Sequence, residues 1–381
     1  MTEIRSDPYD VAIIGGGLAG LSLAIQFGRS GYQVLVLERE RYPFHKVCGE
    51  YISFESWNFL EELGIPLSDW NLPIIKRLLV TAPGGNQIHH DLPLGGFGIS
   101  RYKLDAALAG ICRSVGVSLI ENCKVTDVLQ EQKLFRVESS AQQWLAKIVC
   151  GSFGKRSNLD VKWKRRFTRQ KNNKLNNYVG VKYHIRAEFP GDLIALHNFS
   201  DGYCGISQIE DNKFCLCYLT TAQNLQRSNH SISTMEKNIL RTNPYLDKIF
   251  SSAEFLFDQP VTISQISFER KSQLKDHILF VGDAAGMIAP LCGNGMSMAL
   301  HASKIAFECM DQFLRGETER HEMEQEYTDR WNRKFRRRLQ AGRILQGFFG
   351  KEVLSNLMVR SLKPFPGVIS WLISKTHGEP F

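Results

Sequence analysis

Several features that would assign this 381-residue chain to a common functional class are missing. Its nine cysteines are odd in number and include no CxxC pair, which argues against a disulfide framework and against a redox or zinc motif. No apolar run is long enough to cross a bilayer, and no N-terminal signal peptide is recognisable. No Ser/His/Asp set or metal-ligand cluster has a plausible spacing, so we predict no metal. We therefore expect a cytoplasmic protein with reduced thiols, soluble or at most peripheral to a membrane.

What the chain does contain is enough apolar material for a sizeable core, since 43% of its residues are hydrophobic. This length and composition suit one cofactor domain with a smaller substrate domain. The formal net charge of +8 comes mainly from two basic runs, at residues 162–174 and 333–338. Such runs can face nucleic acid or anionic lipid, but neither lies in a recognisable nucleic-acid module. We interpret them as solvated surface and predict no nucleic-acid partner.

A glycine-rich turn follows a short apolar run near the start of the chain. Tyr9–Ile14 is rich in β-branched residues and predicts a strand. It leads directly into Gly15, Gly16, Gly17, Leu18, Ala19 and Gly20. Gly15 permits the turn, Gly17 lets the backbone approach a pyrophosphate, and Gly20 allows close packing of a helix on the strand. The helix predicted over residues 18–29 would direct its first amides, at Leu18 and Ala19, towards the phosphates.

A second apolar run, Val34–Leu37, predicts the next strand and ends at Glu38 and Arg39. Glu38 lies eighteen residues after Gly20, at the distance typical of an acid that binds a ribose diol. A carboxylate accepts both diol hydroxyls, whereas it would repel the 2′-phosphate of NADP. The glycine motif, set between two strands and followed by this acid, predicts a dinucleotide site. The alternative is a glycine-rich turn without a ligand.

A second motif lies nearly 240 residues downstream. His277–Val281 predicts a buried strand that stops at Gly282 and Asp283. A turn and the start of a long apolar helix follow, at Pro290, Gly293, Asn294, Gly295 and Met296. Here the chain resembles the superfamily of FAD-dependent aromatic hydroxylases and geranylgeranyl reductases. The resemblance implies that Asp283 binds the ribityl or phosphate region of FAD and that residues 293–295 bring amides to the pyrimidine end of the isoalloxazine. The alternative for Asp283 is an ordinary helix N-cap.

The resemblance also implies the architecture, an α/β fold. A Rossmann-like FAD-binding domain, with helices on both faces of a parallel sheet, would carry an inserted antiparallel β-sheet substrate domain and a helical C-terminal tail. We predict FAD-binding segments at 1–177 and 266–330, except that residues 72–98 belong to the substrate side. Alternating patterns place the antiparallel sheet at 178–265. The helical region at 331–381 would rest on a membrane, roof a substrate tunnel or, as we favour, pack on the protein itself.

Two shorter motifs support the same family. Arg101, with Leu104 and Asp105, resembles the Arg-x-x-Leu-Asp signature at a helix start, and the family analogy places Arg101 near the pyrophosphate arm of FAD. The alternative is a surface salt bridge. Lys46, Cys48 and Gly49 resemble the Cys-Gly segment of geranylgeranyl reductase-like proteins, which would lie close to the flavin ring. Cys48 is equally suited to be a small buried residue.

A third signature of the superfamily is altered in this chain. Residues 150–157 keep Gly154 and Ser157 but carry Phe153 where the family has an acid. This signature contacts FAD and NAD(P)H in the family, so the change weakens any transfer of nicotinamide-site residues. Because no second dinucleotide motif is present, we expect NAD(P)H to act as a transient electron donor.

The resemblance favours a monooxygenase in which NAD(P)H reduces FAD and O₂ adds at flavin C4a to hydroxylate a small hydrophobic substrate, aromatic or polyketide-like. The chemistry would be borne by the flavin, with Cys48, Cys292 and Asn294 as candidate catalytic residues. The alternative is a reductase that saturates carbon-carbon double bonds of a prenyl or lipid chain, although its Tyr-x-Trp-x-x-Pro segment is missing at 202–206. The tryptophan motif of flavin halogenases is missing too. An alternative of another class is a binding protein that kept the fold and lost the cofactor.

Overall fold

The computed structural model describes residues 7–169 and 176–381. Residues 170–174 of the first basic run therefore lie outside the described residues. The strands are, in chain order, β1 Tyr9–Ile14, β2 Val34–Leu37, β3 Tyr51–Ser53, β4 Ile74–Thr81, β5 Gln87–Gly98, β6 Ser118–Ile120, β7 Val125–Glu131, β8 Leu134–Ser139, β9 Gln143–Gly151, β10 Asn176–Arg186, β11 Leu193–Phe199, β12 Gly202–Gln208, β13 Phe214–Thr221, β14 Glu254–Phe255, β15 Val261–Ser267, β16 Leu274–Lys275 and β17 Ile278–Phe280.

The α-helices are α1 Leu18–Arg29, α2 Trp57–Glu62, α3 Arg101–Ser114, α4 Asn158–Lys162, α5 Ala222–Arg227, α6 Ile232–Asn238, α7 Pro244–Ser252, α8 Gly295–Leu314, α9 Arg320–Gln346, α10 Glu352–Leu362 and α11 Pro366–Ser374. The bounds predicted for β1, α1 and β2 agree with the structure. None of the helices in 7–169 and 176–381 is both long and apolar enough to cross a membrane.

The first sheet forms the cofactor half of the molecule. Its central strands run in the order β17-β9-β1-β2-β6, all parallel, with β16 antiparallel at one edge. The antiparallel meander β7-β8-β9 branches from β9. Because β1 lies between two parallel neighbours, its apolar run is buried almost completely. The carboxyl ends of β1, β2, β9 and β17 therefore meet at one edge, where β1 and β17 lead into the two glycine turns.

Helices α1, α3 and α8 cover one side of this sheet. The middle of α1 packs on α8, and their contact includes a hydrogen bond of 2.7 Å between the hydroxyls of Ser22 and Ser303. Since α1 follows the first glycine turn and α8 follows the second, this packing brings together two helices whose contacting serines are 281 residues apart in the chain. The long helix α9 then lies against α8, with Tyr327, Trp331 and Phe335 buried.

The second sheet has the order β14-β10-β13-β12-β11-β4-β5-β3, with β15 also paired to β10. All its pairs are antiparallel except β11 with β4. Residues 178–265 are not only strands, since α5, α6 and α7 lie between β13 and β14 and pack on one face of the sheet. These helices were missed by the alternating-pattern argument. The predicted α/β class, with a parallel FAD-type sheet, a largely antiparallel second sheet and a helical tail, is confirmed.

Candidate functional site

The first glycine turn is shaped by close backbone approach. Gly15 has φ +102°, and a Cβ there would lie 2.6 Å from the carbonyl oxygen of Ser152. At Gly20 a Cβ would collide with the Gly15 carbonyl, so the start of α1 can pack against β1 only with glycine there. These contacts fix the direction of α1. Its first amides point into the space beyond the carboxyl end of β1.

Above Gly17 the protein leaves room, and two cations border that room. The nearest heavy atoms to a Cβ built on Gly17 are Arg101 Nη2 at 3.8 Å and Lys46 Nζ at 3.9 Å. Gly17 is the N-cap of α1 and makes no side-chain cap, so the first amides of α1 face the same space. A helix N-terminus beside two cations is a site for an anion such as a pyrophosphate.

Arg101 and Lys46 share one buried carboxylate. Arg101 donates two hydrogen bonds to Asp105, of 2.6 and 2.8 Å, and Lys46 Nζ lies 3.0 Å from Asp105 Oδ2. Burial by itself raises the pKa of the Asp105 carboxyl, but Arg101 and Lys46 outweigh it and hold that pKa below 3.8. Arg101 does form a salt bridge, but it is a buried one at the glycine turn rather than a surface pair. The cluster keeps one net positive charge beside Gly17.

Glu38 lies at the end of β2 and is 6% exposed. One carboxylate oxygen accepts from the Gly16 amide at 2.7 Å, and the other accepts from the Glu40 amide at 3.1 Å. Each oxygen has a second lone pair, so the side chain retains capacity for two hydroxyl donors. Arg39 points to solvent, with 69% of its side chain exposed and only Glu40 as an ion-pair partner among the described residues.

The second motif forms a short 3₁₀ turn, Gly282–Ala284, directly after β17. Two buried cations hold its carbonyls: Lys271 Nζ donates to the Asp283 carbonyl at 2.7 Å, and Arg165 donates to the Ala284 carbonyl at 2.9 Å. Burial lowers the pKa of Lys271 to about 8. The carboxylate of Asp283 makes no hydrogen bond or ion pair with the described residues, so it is free for a ligand.

Arg165 is an exception in the first basic run, whose cations Lys162, Lys164 and Arg166 are exposed as predicted. Its side chain is 1% exposed and pairs at 2.7 Å with the equally buried Asp160. Its guanidinium also lies 3.8 Å from the centroid of the Phe280 ring. A sequence pattern of consecutive cations gives no sign of this, because the carbonyls of Ser272 and Ala284 that Arg165 binds come from distant segments.

The start of α8 presents unused polar groups. Met298 N–H is the first amide that bonds back, to the Asn294 carbonyl, which leaves the amides of residues 295–297 available. The buried Ser297 hydroxyl and Asn294 Oδ1 have no hydrogen-bond partner among the described residues. The Asn294 amide instead donates to Glu55, whose other oxygen lies 3.3 Å from Arg338. Glu55 therefore positions the turn that the second motif contributes.

The candidate thiols differ in environment. Cys48 is half-buried and its Sγ lies 3.6 Å from Met296 Sδ, so the Cys-Gly segment reaches the start of α8. Cys292 is buried, and burial raises its thiol pKa to about 12. A thiol with that pKa stays protonated at neutral pH, which argues against Cys292 as a nucleophile. Gly49 is exposed, and a Cβ built there would meet no atom within 4 Å. Pro290 begins a 3₁₀ turn that ends at Gly293, which is in the left-handed region.

A buried charge cluster next to Cys48 was not foreseen from the sequence. The Glu50 carboxylate accepts from Lys182 Nζ at 2.5 Å, from His184 Nε2 at 2.6 Å and from the Arg101 amide at 2.7 Å. Lys182 is fully buried and has no second partner among the described residues. Burial by itself raises the pKa of Glu50, but Lys182 and His184 outweigh it and hold that pKa below 4.5. Glu50 thus joins β10 of the second sheet to the start of α3.

Lys182 and His184 lie on the same face of β10, the face that meets the Cys-Gly segment. Gly180, two residues earlier, would place a Cβ 2.9 Å from a methyl of Val47. The Cys215 thiol on β13 donates to the Cys48 carbonyl at 3.1 Å. The ligand atoms of Glu50, His184 and Cys215 lie within 4.8 Å of one another, but the Lys182 ammonium already neutralises the carboxylate, which disfavours a metal cation there.

A weak signal for this cluster was present in the sequence. Lys182 and His184 interrupt the apolar middle of β10 at alternate positions, so they share one face. Glu50 has φ +55°, a conformation that non-glycine residues seldom adopt. A glutamate in the sequence does not predict such a conformation. Pairing across 132 residues is a property of the fold and has no local pattern.

Residues 8–189 match the FAD-binding domain family. These residues, which are just under half of the chain, therefore form an FAD-binding domain. This confirms the resemblance to the aromatic hydroxylase and geranylgeranyl reductase superfamily, and the cofactor is FAD. Among curated proteins, a digeranylgeranylglycerophospholipid reductase of Methanothermobacter thermautotrophicus is 24% identical over 93% of this chain and 92% of its own. The conditioned medium factor receptor 1 of Dictyostelium discoideum is 25% identical over 86% of this chain and 68% of its own.

Solved structures show the same fold. A flavin-dependent brominase superposes with a TM-score of 0.78 at 18% identity, over 97% of this flavoprotein and 93% of the brominase. A geranylgeranyl bacteriochlorophyll reductase-like protein of Thermoplasma acidophilum gives a TM-score of 0.75 at 18% identity, over 100% and 97% of the two chains. Identities at this level establish the fold and not the reaction.

The residues at the site fit FAD. The open space over Gly17, with Arg101 and Lys46 beside it, suits the pyrophosphate. The uncommitted Asp283 carboxylate suits hydroxyl donors, and the unpaired Ser297 hydroxyl at the start of α8 suits a polar ring edge. These assignments remain predictions about individual side chains, as do the predicted domain limits.

Proposed function

We propose that this flavoprotein is an NAD(P)H- and O₂-dependent monooxygenase that hydroxylates a hydrophobic phenol-like or polyketide-like small molecule. The observation that carries the proposal is the fully buried Lys182 ammonium, which has one hydrogen-bond partner among the described residues. It lies beside the Cys48 segment, on the sheet face that meets the flavin-binding half. When bound, FAD supplies electron transfer from NAD(P)H and the activation of O₂.

An ammonium group can donate three hydrogen bonds, and Glu50 uses one. The remaining donors of Lys182 suit a phenolic oxygen, which the fully buried side chain would meet once the Cys48 segment moves away from β10 to admit the substrate. A buried cation favours the charged form of that group, so Lys182 would lower the pKa of the phenol. The resulting phenolate has an electron-rich ring, as electrophilic hydroxylation requires. Glu50 and His184 hold Lys182 in place, so they position the group that would contact the substrate.

An apolar cluster on the face of the second sheet that carries Lys182 supports a hydrophobic substrate. It includes Tyr203 and Leu219 of the sheet, Phe268 after β15, and Met287 after the second flavin motif, with Phe349 packed against it. Because this cluster joins the sheet to the flavin motif, a substrate held there would be shielded from water. Phe349 belongs to the C-terminal region, which gives the tail a role as a cover over this cluster.

A reductase that saturates double bonds of a prenyl or lipid chain is the second candidate. The curated reductase relative and the contact of Cys48 with the start of α8 favour it. An alkene, however, has no oxygen for the unused donors of Lys182. The non-catalytic alternative is opposed by the open, cationic space over Gly17, and a purified protein that remains colourless with added FAD would revive it.

The test supplies the FAD-loaded protein with a long-chain alkylresorcinol or a polyprenyl lipid and reads product masses. A monooxygenase consumes NAD(P)H and incorporates one atom of ¹⁸O₂ into the phenol. Double-bond saturation with chemically reduced enzyme under nitrogen, adding two hydrogens to the lipid, would support the reductase instead. Lys182→Met should raise the pKa of the bound phenol, read from its ultraviolet spectrum, while the exposed Lys248→Met should not.

A further inference from the structure

The C-terminal region exposes an unusual share of the large apolar side chains. Of the twelve large hydrophobic residues that are exposed in 7–169 and 176–381, seven lie between residues 344 and 371. The largest group is on α10, α11 and their connecting turn, and we call it the tail patch: Val353, Leu357, Phe365, Val368 and Trp371. Their exposed fractions run from 44% to 78%. Single exposed apolar residues are ordinary, but a group of this kind marks a binding surface.

The tail patch is the outward side of a packed pair of helices. The inward residues Val359 of α10 and Ile369 of α11 are buried in one cluster with Ala82 and Ile88 at the edge of the second sheet. Because both helices pack their inner faces against β5, their outer faces point away from the sheet. The helices are therefore anchored without the tail patch, and its side chains are available to contact another surface.

Basic side chains border the tail patch. Lys351, Arg360, Lys363 and Lys375 are all exposed, and Glu352 is the one acid between residues 344 and 375. The ammonium of Lys375 lies 5.2 Å from the centroid of the Trp371 ring. Aromatic and aliphatic side chains framed by cations are the composition of helices that lie in a membrane interface. A second protein surface would more often meet such cations with paired acids.

We propose that the tail patch docks the protein on an anionic phospholipid surface. Phe365 and Trp371 would enter the boundary between headgroups and acyl chains, and the four cations would contact lipid phosphates. The docking does not depend on which reaction the flavin site performs. It would bring the apolar cluster that contains Phe349 next to a source of lipophilic molecules, since the two clusters share Val80.

The test is flotation of the FAD-loaded full-length protein with vesicles of phosphatidylcholine alone or with 30% phosphatidylglycerol. We expect binding to the anionic vesicles and little to the neutral ones. The double variant Leu357→Gln/Trp371→Gln should abolish flotation. Its matched control, Ile74→Gln/Leu129→Gln, removes two apolar side chains that are exposed elsewhere and should float like the wild type. Lys363→Gln/Lys375→Gln should weaken the partition coefficient about 25-fold, about fivefold per cation.

Absence of flotation with anionic vesicles would overturn the proposal. So would equal losses in the tail-patch variant and its control. Sedimentation velocity identifies the competing occupant: a wild-type dimer that becomes a monomer in Leu357→Gln/Trp371→Gln, without vesicle binding, would assign the tail patch to a second copy of the chain. Retained visible absorbance of FAD in every variant separates these outcomes from loss of the fold.

Discussion

Two buried carboxylates flank the candidate flavin site, and each is held by two basic side chains. Asp105, with Arg101 and Lys46, lies where Lys46 keeps a quarter of its side chain exposed. Glu50, with Lys182 and His184, is sealed, since Glu50 and Lys182 have no exposed side-chain surface. The Asp105 cluster has surplus cations beside an open space and suits an anionic ligand. The Glu50 cluster joins two sheets, and its charges have no access to water.

This difference separates what each cluster contributes. In the open Asp105 cluster, water can solvate the groups that remain when a cation is removed, so the substitution should mainly weaken ligand binding. In the sealed Glu50 cluster, removal of one partner leaves a charge without solvent, so the substitution should mainly lower the free energy of unfolding. Stability and FAD affinity should therefore respond to different substitutions.

The largest effect is expected from Glu50→Gln. It leaves Lys182 buried without a carboxylate and should lower the free energy of unfolding by about 3–5 kcal/mol. Urea unfolding followed by far-ultraviolet circular dichroism measures this. Glu254→Gln, which breaks the exposed pair with Arg186, should cost less than about 1 kcal/mol. Equal effects of the two substitutions would remove the distinction between sealed and exposed pairs. The double variant Glu50→Gln/Lys182→Met should recover part of the loss.

Gly17→Ala should weaken the affinity for FAD without changing the stability of the fold. The added methyl meets nothing closer than 3.8 Å in the protein, but it fills the space assigned to the pyrophosphate. Displacing that group from two charged donors should cost about 3 kcal/mol, or about a hundredfold in Kd. Titration of the apoprotein by flavin fluorescence measures the affinity. Gly110→Ala, on an exposed part of α3 with open space around it, is the control, and a similar loss of affinity there would contradict the assignment.

Lys46→Met tests the contribution of the Asp105 cluster to FAD affinity. We expect about a tenfold weaker FAD affinity, since a hydrogen bond to a charged group contributes about 1.5 kcal/mol. The salt dependence of FAD binding should decrease as well, because one cation fewer meets the pyrophosphate. Arg39→Ala serves as the comparison, because the Arg39 side chain is 69% exposed and paired with Glu40. An unchanged affinity in Lys46→Met, or a tenfold loss in Arg39→Ala, would place the pyrophosphate elsewhere.

The sealed cluster also predicts a pH dependence. The pKa of Glu50 is lower in the folded protein than its ordinary 4.5, so its stabilisation is complete above that value. It is lost as the pH falls from 4.5 through the folded pKa, with a slope of up to about 1.4 kcal/mol per pH unit. Glu50→Gln should flatten this part of the curve. Burial lowers the pKa of His197 to about 3, so a separate loss should begin below pH 6.5 in both proteins. A wild-type slope below pH 4.5 in the variant would contradict the prediction.

Much of the cofactor half was predictable, because its signals are local. Gly15 and Gly20 sit at positions where backbone contact leaves no room for a side chain, and the apolar runs on either side of the glycine turn have the length of single strands. The same holds for the turn at Gly282 and the start of α8. In the second sheet, alternation identified β10 and β13 but not α5–α7, whose short amphipathic segments lie inside the region assigned to strands.

By itself, the sequence determined the cofactor class, the FAD-type fold and the helical tail. The dinucleotide site follows from residue types that act on their own backbone or on near neighbours, whereas FAD, the FAD-type fold and the helical tail follow from the resemblance to a known superfamily. The tertiary structure alone decided that Arg165 is buried, that Lys182 and His184 meet Glu50, and that the tail patch faces outward. These features depend on which distant segments supply a carboxylate, a carbonyl or an apolar cover. Such partners are set by the packing of two sheets, and no spacing within one segment encodes them.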